Sequence, residues 1–356
     1  MGDMVLTQLL EKTLEIGGSD VFIIPGSQVM AKVRGAMVPL TDDIVRPPET
    51  KELVEQTYEL ANHRDINLIH QDGDDDFSFS LARLARFRCN AYQQRGTFAA
   101  SYRVVTFGLP DPSKLSIPPL VMELTKNRNG MILVTGPAGS GKSTTLACML
   151  DRMNSERSGH IITIEDPIEY LHPHKKSLVS QREIPNDASS FARALRAALR
   201  QAPDVILLGE MRDLETISTA ITAAETGHML LSSLHTVGAS KTIDRIIDTF
   251  PANQQQQVRI QLSMVLRAVV SQRLVPTVTG ELTPVFEVMT ITSAVQNMIR
   301  DGKTYQIDNV IYSGAADNSM ISMDNELIKL VRSGKITKET AILYAANVDM
   351  LRKRLI

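Results

Sequence analysis

Only two cysteines and no tryptophan occur in 356 residues. Cys89 and Cys148 stand far apart, each inside a stretch expected to be regular. That fits reduced thiols better than a disulfide and leaves no cysteine set for a metal. No apolar run approaches the length of a membrane span, and Asp3, Glu11, Glu15 and Asp20 occupy the first twenty residues, where a signal peptide would be apolar. A membrane role is therefore expected only through partners. A cationic surplus is also missing: Lys plus Arg is 38 against 40 for Asp plus Glu, a formal charge of −2, so nothing general points to nucleic acid. No repeat or low-complexity tract stands out. What remains, 43% hydrophobic and 22% charged residues, is the composition of a soluble globular chain with room for two domains.

The chemistry begins at "TGPAGSGKSTT", behind the apolar run "GMILV" and ahead of the helically spaced "LACMLDRMN". Gly136, Gly141, Lys142 and Ser143 fill the pattern G-x-x-x-x-G-K-[ST], with Pro137, Ala138, Gly139, Ser140 and Thr144 completing the loop. Glycines let the backbone turn closely around an anion, and the helix expected from Ser143 to about Asn154 points its positive end there. Lys142 reaches the outer phosphates, and the Ser143 hydroxyl is placed for Mg²⁺. The segment predicts binding of a nucleoside triphosphate.

Ahead of it, residues 4–16 read as an amphipathic helix, followed by short alternating segments and a second helix near Glu49 to Leu60. Alternation on both sides of Gln94, Arg95 and Gly96 reads as strands joined by a turn. The proline-rich "TFGLPDPSKLSIPP" reads as a linker, with a boundary near Leu109. Beyond it, "MILVT", "HIITIED", "DVILLGE" and "MLLSSLH" alternate with helical stretches, an α/β pattern with a mainly parallel sheet. From Asn253 onward helical spacing dominates, including "QQQQVRIQLSMVLRAVVSQRL". The expected division is 1–108, a linker over 109–128, a nucleotide-binding α/β core over 129–276, and a mainly helical 277–356.

Two strands end in carboxylates, Glu210 in one and Glu165 with Asp166 in the other, the positions from which Mg²⁺ and an attacking water are held in phosphoryl transfer. His235 follows the strand "MLLSSL" and is placed to meet a terminal phosphate; His228 precedes the same strand and suits another edge or subunit. Arg86 and Arg88 share a strand face and Arg103 lies on the returning strand, either a solvated face or arginines for phosphoryl transfer. Arg193, Arg196 and Arg200 recur at helical spacing, either as a charged helix face or as functional groups.

In order, "GPAGSGKSTT", "IITIEDPIEY", "SFARALRAALRQAPDVILLGEMRDLET", "AAETGHMLLSSLHT" and "TIDRIIDTFP" resemble the type II/type IV secretion ATPase superfamily, specifically the PilT-type retraction ATPases of type IV pili. The resemblance implies a PAS-like α+β N-terminal domain, a RecA-like ATPase domain with a helical C-terminal subdomain, and a homo-hexameric ring using ATP and Mg²⁺. It implies roles for the loop Gly136 to Thr144, for Glu165 and Glu210, for His228 and His235, and for Arg88 and Arg103 as sensor or finger arginines, with Ser143 and Glu210 at Mg²⁺. It further implies a cytoplasmic motor at the inner face of the cytoplasmic membrane, a platform protein there as partner, pilus retraction and twitching motility.

Three departures accompany the resemblance. Ala138 replaces a threonine, Ala202 an aspartate, and "AVQNMIRD" stands where the family has "AIRNLIRE", with Gln296 for an arginine. In "AVQNMIRD" an apolar stripe of Ala294, Val295, Met298 and Ile299 is expected opposite Gln296, Asn297, Arg300 and Asp301. The alternatives are an accessory paralogue beside another retraction ATPase, an extension or secretion ATPase, and a RecA-like helicase. A short N-terminus and two cysteines weigh against the extension type, and charge weighs against the helicase.

Overall fold

The computed structural model describes residues 5–81, 84–105 and 108–355. Met4 of the first expected helix, Ala82 and Arg83 in the stretch read as strand, and Thr106 and Phe107 of the proline-rich segment lie outside them. The chain divides into two compact units: one runs as far as Gly108 and takes in Glu169–Leu171, the other begins at Leu109.

The first unit is α+β. It follows the order α1 (Leu6–Glu15), β1 (Asp20–Ile23), β2 (Met30–Val33), β3 (Ala36–Pro39), α2 (Pro47–Leu60), α3 (Asn67–Asp72), β4 (Asp74–Leu81), β5 (Ala85–Gln94) and β6 (Thr97–Val105). The six strands form one antiparallel sheet in the order β3-β2-β1-β6-β5-β4. Two prolines open α2, where the fixed φ suits the first turn, and the Glu49 carboxylate accepts the Arg46 N–H at 2.6 Å. Gln94 pairs with Thr97 across a two-residue turn in which Arg95 and Gly96 have φ of 49° and 75°, the positive values a tight hairpin demands. Period-two burial decides the faces of β5: Ala85, Phe87, Cys89 and Ala91 turn inward, leaving Arg86 and Arg88 on the other side. Inside, Thr57 and Tyr102 satisfy each other's hydroxyls at 2.7 Å, avoiding the cost of an unpaired buried polar group.

The second unit carries α4 (Pro119–Glu123), β7 (Gly130–Thr135), α5 (Lys142–Glu156), β8 (His160–Glu165), β9 (Leu178–Glu183), α6 (Phe191–Ala198), β10 (Val205–Leu208), α7 (Leu214–Glu225), β11 (Met229–Leu234), α8 (Ala239–Asp248), α9 (Ala252–Val265), β12 (Leu266–Pro276), β13 (Leu282–Thr290), α10 (Ser293–Arg300), α11 (Ile307–Gly314), α12 (Met323–Arg332), α13 (Lys338–Tyr344) and α14 (Val348–Arg354). Its sheet runs β13-β12-β7-β11-β10-β8-β9, parallel except for β13 at one edge. Both faces are covered. Met131 and Leu133 of β7 enter one apolar core with α7, α8 and α9, while Ile132 and Val134 enter the other with α5. Hence β7 and β11 are buried at every position, Met131–Val134 reading as an unbroken apolar run and β11 carrying Ser232 and Ser233 among its apolar residues.

One expectation fails here. Helical spacing through "QQQQVRIQLSMVLRAVVSQRL" continues only to Val265, and Leu266–Pro276 is strand β12, bound to β7 and β13. A strand buried on both faces has no alternation to show, so its period cannot be separated from a helix; the β-branched pair Val269 and Val270 was the local signal. Strand β13 likewise adds a sheet strand within the stretch read as mainly helical. Strand β9, a mixed segment at the sheet edge, was not foreseen either. Both cysteines are free and buried. No helix among the described residues is long and apolar enough to cross a membrane.

Candidate nucleotide site

Parallel strands end together, so whatever follows β7, β8, β10 and β11 gathers along one sheet edge, where open α/β sheets place ligands. Pro137, Ala138 and Gly139 of the phosphate loop lie exposed there, with α5 starting at Lys142. Two of its glycines are required by their surroundings. Gly136 has φ 148° and a Cβ on it would fall 2.1 Å from the Gln272 carbonyl oxygen; Gly141 has φ 86° and its Cβ would approach Gln272 Nε2 to 2.9 Å. Lys142, only 8% exposed, donates through Nζ to the carbonyls of Gly136 and Pro137, both at 2.9 Å. Its ammonium is thus held inside the loop it serves. Ser143 and Thr144 follow in the first turn of α5, whose N–H groups and dipole face the loop.

Glu210 stands two residues beyond β10, its side chain 12% exposed, with Oε1 2.6 Å from Arg212 Nε and Oε2 3.4 Å from His235 Nε2. His235 directly follows β11, the strand lying between β7 and β10. Glu165 closes β8, where Gln181 Nε2 of β9 reaches its Oε1 at 3.4 Å. The sheet thereby brings the loop, Glu165, Glu210 and His235 to one end. Ser143 and Glu210 offer hydroxyl and carboxylate oxygens, the hard donors Mg²⁺ takes beside substrate phosphates, so the residues present fit that ion.

Of the other predicted site residues, one lies at the far end of this sheet and two belong to the first unit. His228 sits at the opposite end of β11, roughly 20 Å from His235 at ~3.3 Å per strand residue. Its ring is fixed by Nδ1, which donates to the Ala223 carbonyl at 2.9 Å, and it lines a cleft of about 460 Å³ with Arg128, Arg157 and Asp204. Arg88 and Arg103 belong to the first unit, where they are direct cross-strand partners on β5 and β6. Like charges opposed in this way repel, and Asp20 of β1 offsets them, with Oδ1 3.1 Å from Arg103 Nε. Arg193 and Arg196 of α6 are exposed, as is Arg200 two residues beyond its end, and Arg196 pairs with Glu215 at 2.6 Å.

Sequence reading missed Arg212, although it lies in the quoted "GEMRD", and Gln272, because its strand was taken for helix. Gln272 backs the loop, and its Oε1 accepts from Thr145 Oγ1 at 2.7 Å. The divergent Ala202 has φ 49°, a region that asparagine and aspartate enter more readily than alanine.

Residues 99–353 match the family model described as type II/IV secretion system protein. The type IV pilus retraction ATPase PilT of Pseudomonas aeruginosa is 41% identical over 95% of this chain and 97% of its own length. The type IV pilus ATPase PilU of the same organism is 37% identical over 98% of this chain and 91% of its own length. The crystal structure of the pilus retraction motor PilT with bound ADP superposes with a TM-score of 0.88 at 41% identity, covering 98% of this chain and 99% of that one.

Proposed function

The chain belongs to the type II/IV secretion system protein family, and from that premise we propose that it is an ATP-hydrolysing motor that retracts type IV pili and so drives twitching motility. The observation that carries the reading is the convergence of the phosphate loop, Glu165, Glu210 and His235 at one sheet end, in a chain matched almost end to end by a retraction ATPase.

Each residue has work there. The loop N–H groups and Lys142 bind the β- and γ-phosphates, the ammonium turning from the loop carbonyls toward the anion. Ser143 and Glu210 would hold Mg²⁺, which when bound would supply charge neutralisation on the phosphates. Glu165 and Glu210 are the two carboxylates able to orient a water and accept its proton. Arg212 and His235 fix the Glu210 carboxylate in place, and His235 senses the outer phosphate.

Six copies form a ring, as the family resemblance implies, and Arg88 and Arg103 act as cationic groups toward a neighbouring subunit's nucleotide, neutralising charge in the transition state. Mixing Lys142→Ala with Arg103→Ala subunits then restores part of the lost turnover; no recovery removes that role. The motor works on the inner face of the cytoplasmic membrane through a membrane platform protein, with no nucleic acid partner. The family resemblance leaves a second reading open, an accessory motor beside another retraction ATPase.

Turnover by the isolated protein separates the readings. ATP hydrolysis abolished by Lys142→Ala, and unaffected by added nucleic acid, supports an autonomous motor. Nucleotide binding without turnover supports the accessory reading.

A further inference from the structure

Behind the turn that carries His235, two strands present oxygens to two consecutive backbone N–H groups. Ser271 on β12 and Glu287 on β13 are direct cross-strand partners. Ser271 Oγ accepts the N–H of Gly238 at 2.9 Å, and Glu287 Oε1 accepts the N–H of Ala239 at 2.9 Å. Ala239 is the first residue of α8, where an N–H has no acceptor within its helix and a negative group is favoured. Thr242 closes the turn from the other side, its Oγ1 donating to the Gly238 carbonyl at 2.8 Å and lying 2.7 Å from Thr236 Oγ1.

We propose that Glu287 and Ser271 are positioning residues for turnover, which hold residues 236–239 so that His235 stands against Glu210. The inference rests on the ATPase reading above and adds two residues that belong neither to the phosphate loop nor to the strand-end carboxylates. Glu287 is 8% exposed, and a carboxylate that deep is expensive to bury without a task. It faces Arg273 on β12, Lys241 on α8, Asp308 on α11 and Asp324 on α12 around a cavity of about 290 Å³. The acceptor therefore ties the start of α8, next to the His235 turn, to β13. Ser271 also pairs with Thr135, the last residue before the phosphate loop, so the same row reaches both sides of the site.

The test compares Glu287→Leu, Ser271→Ala and Glu287→Gln in the full chain, reading ATP turnover, ADP affinity and amide hydrogen exchange of residues 236–243. Leucine removes the acceptor while keeping bulk; glutamine keeps an acceptor oxygen. Glu287→Leu and Ser271→Ala are expected to lower kcat about tenfold or more, because small misplacements of catalytic groups are costly, with ADP affinity within about twofold of the parent. Exchange over 236–243 rises in both. Glu287→Gln is expected to retain turnover and protection. Unchanged kcat in Ser271→Ala and Glu287→Leu, or equal impairment by leucine and glutamine, overturns the proposal. If the parent protein shows no turnover, the ATPase reading fails by itself, and the exchange data still decide whether these oxygens hold the turn.

Discussion

His235 Nε2 lies 3.4 Å from Glu210 Oε2, linking the ends of the adjacent parallel strands β11 and β10 beside the phosphate loop. A histidine so placed can pass the state of an outer phosphate to the carboxylate without itself being the base. His235→Ala should therefore lower kcat by about 10- to 100-fold while ADP affinity holds, and Glu210→Gln should do at least as much. Steady-state hydrolysis with parallel ADP titration checks both; turnover at the parental rate in either variant removes that residue from the mechanism.

Gly136→Ala tests the loop's dependence on its backing strand. With φ at 148° and the new Cβ 2.1 Å from the Gln272 carbonyl, the loop or β12 has to move. A loss of about 1–3 kcal/mol in stability and of nucleotide binding is expected, measurable by thermal unfolding with and without ADP. Unchanged ADP-dependent stabilisation would show that the loop tolerates the displacement.

Much of this site was legible because its residues occupy strand ends in an α/β pattern, and parallel strands place such ends together whatever the loop details. Glu165, Glu210 and His235 were read from strand ends, and Gly136 and Lys142 from the G-x-x-x-x-G-K-[ST] pattern. Gln272, Ser271 and Glu287 were not, because they lie inside β12 and β13, where burial on both faces erases the period that marks a strand. His228 shares a motif with His235 and is separated from it by the length of β11, a distance that chain order alone does not express. In α10, Val295 and Ile299 are buried as expected, but Ala294 is exposed and drops out of the stripe.

Burial raises the Glu287 carboxyl from its usual 4.5 to about 7. Between those values the folded chain holds a proton that the unfolded chain has released, so this group's contribution to stability falls as pH rises and levels off above about pH 7. At ~1.4 kcal/mol per unit the loss is at most about 3.5 kcal/mol. Thermal unfolding at about pH 5 and pH 8 should show it, and Glu287→Gln should raise the melting temperature at pH 8 relative to the parent. A parent and variant that differ equally at both pH values would contradict the assignment.

The helix α10 separates anchoring from coupling. Ile299→Ala should destabilise the chain by about 2–4 kcal/mol, because Ile299 is fully buried. Arg300 and Asn297 are exposed and hydrogen-bonded to each other, with Gln296 half-buried beside them. Gln296→Ala with Arg300→Ala should leave ATP hydrolysis intact and abolish pilus retraction, scored by hydrolysis assays beside motility on a surface. Normal motility in the double variant would make this face structural.

The most direct measurement of the central claim counts surface pili and twitching in cells lacking this gene, complemented with either the parent chain or Glu210→Gln. The account predicts excess pili without motility in the deletion, restored by the parent and not by Glu210→Gln. Loss of pili would instead identify an extension motor, and normal pilus number with normal motility would contradict the retraction function altogether.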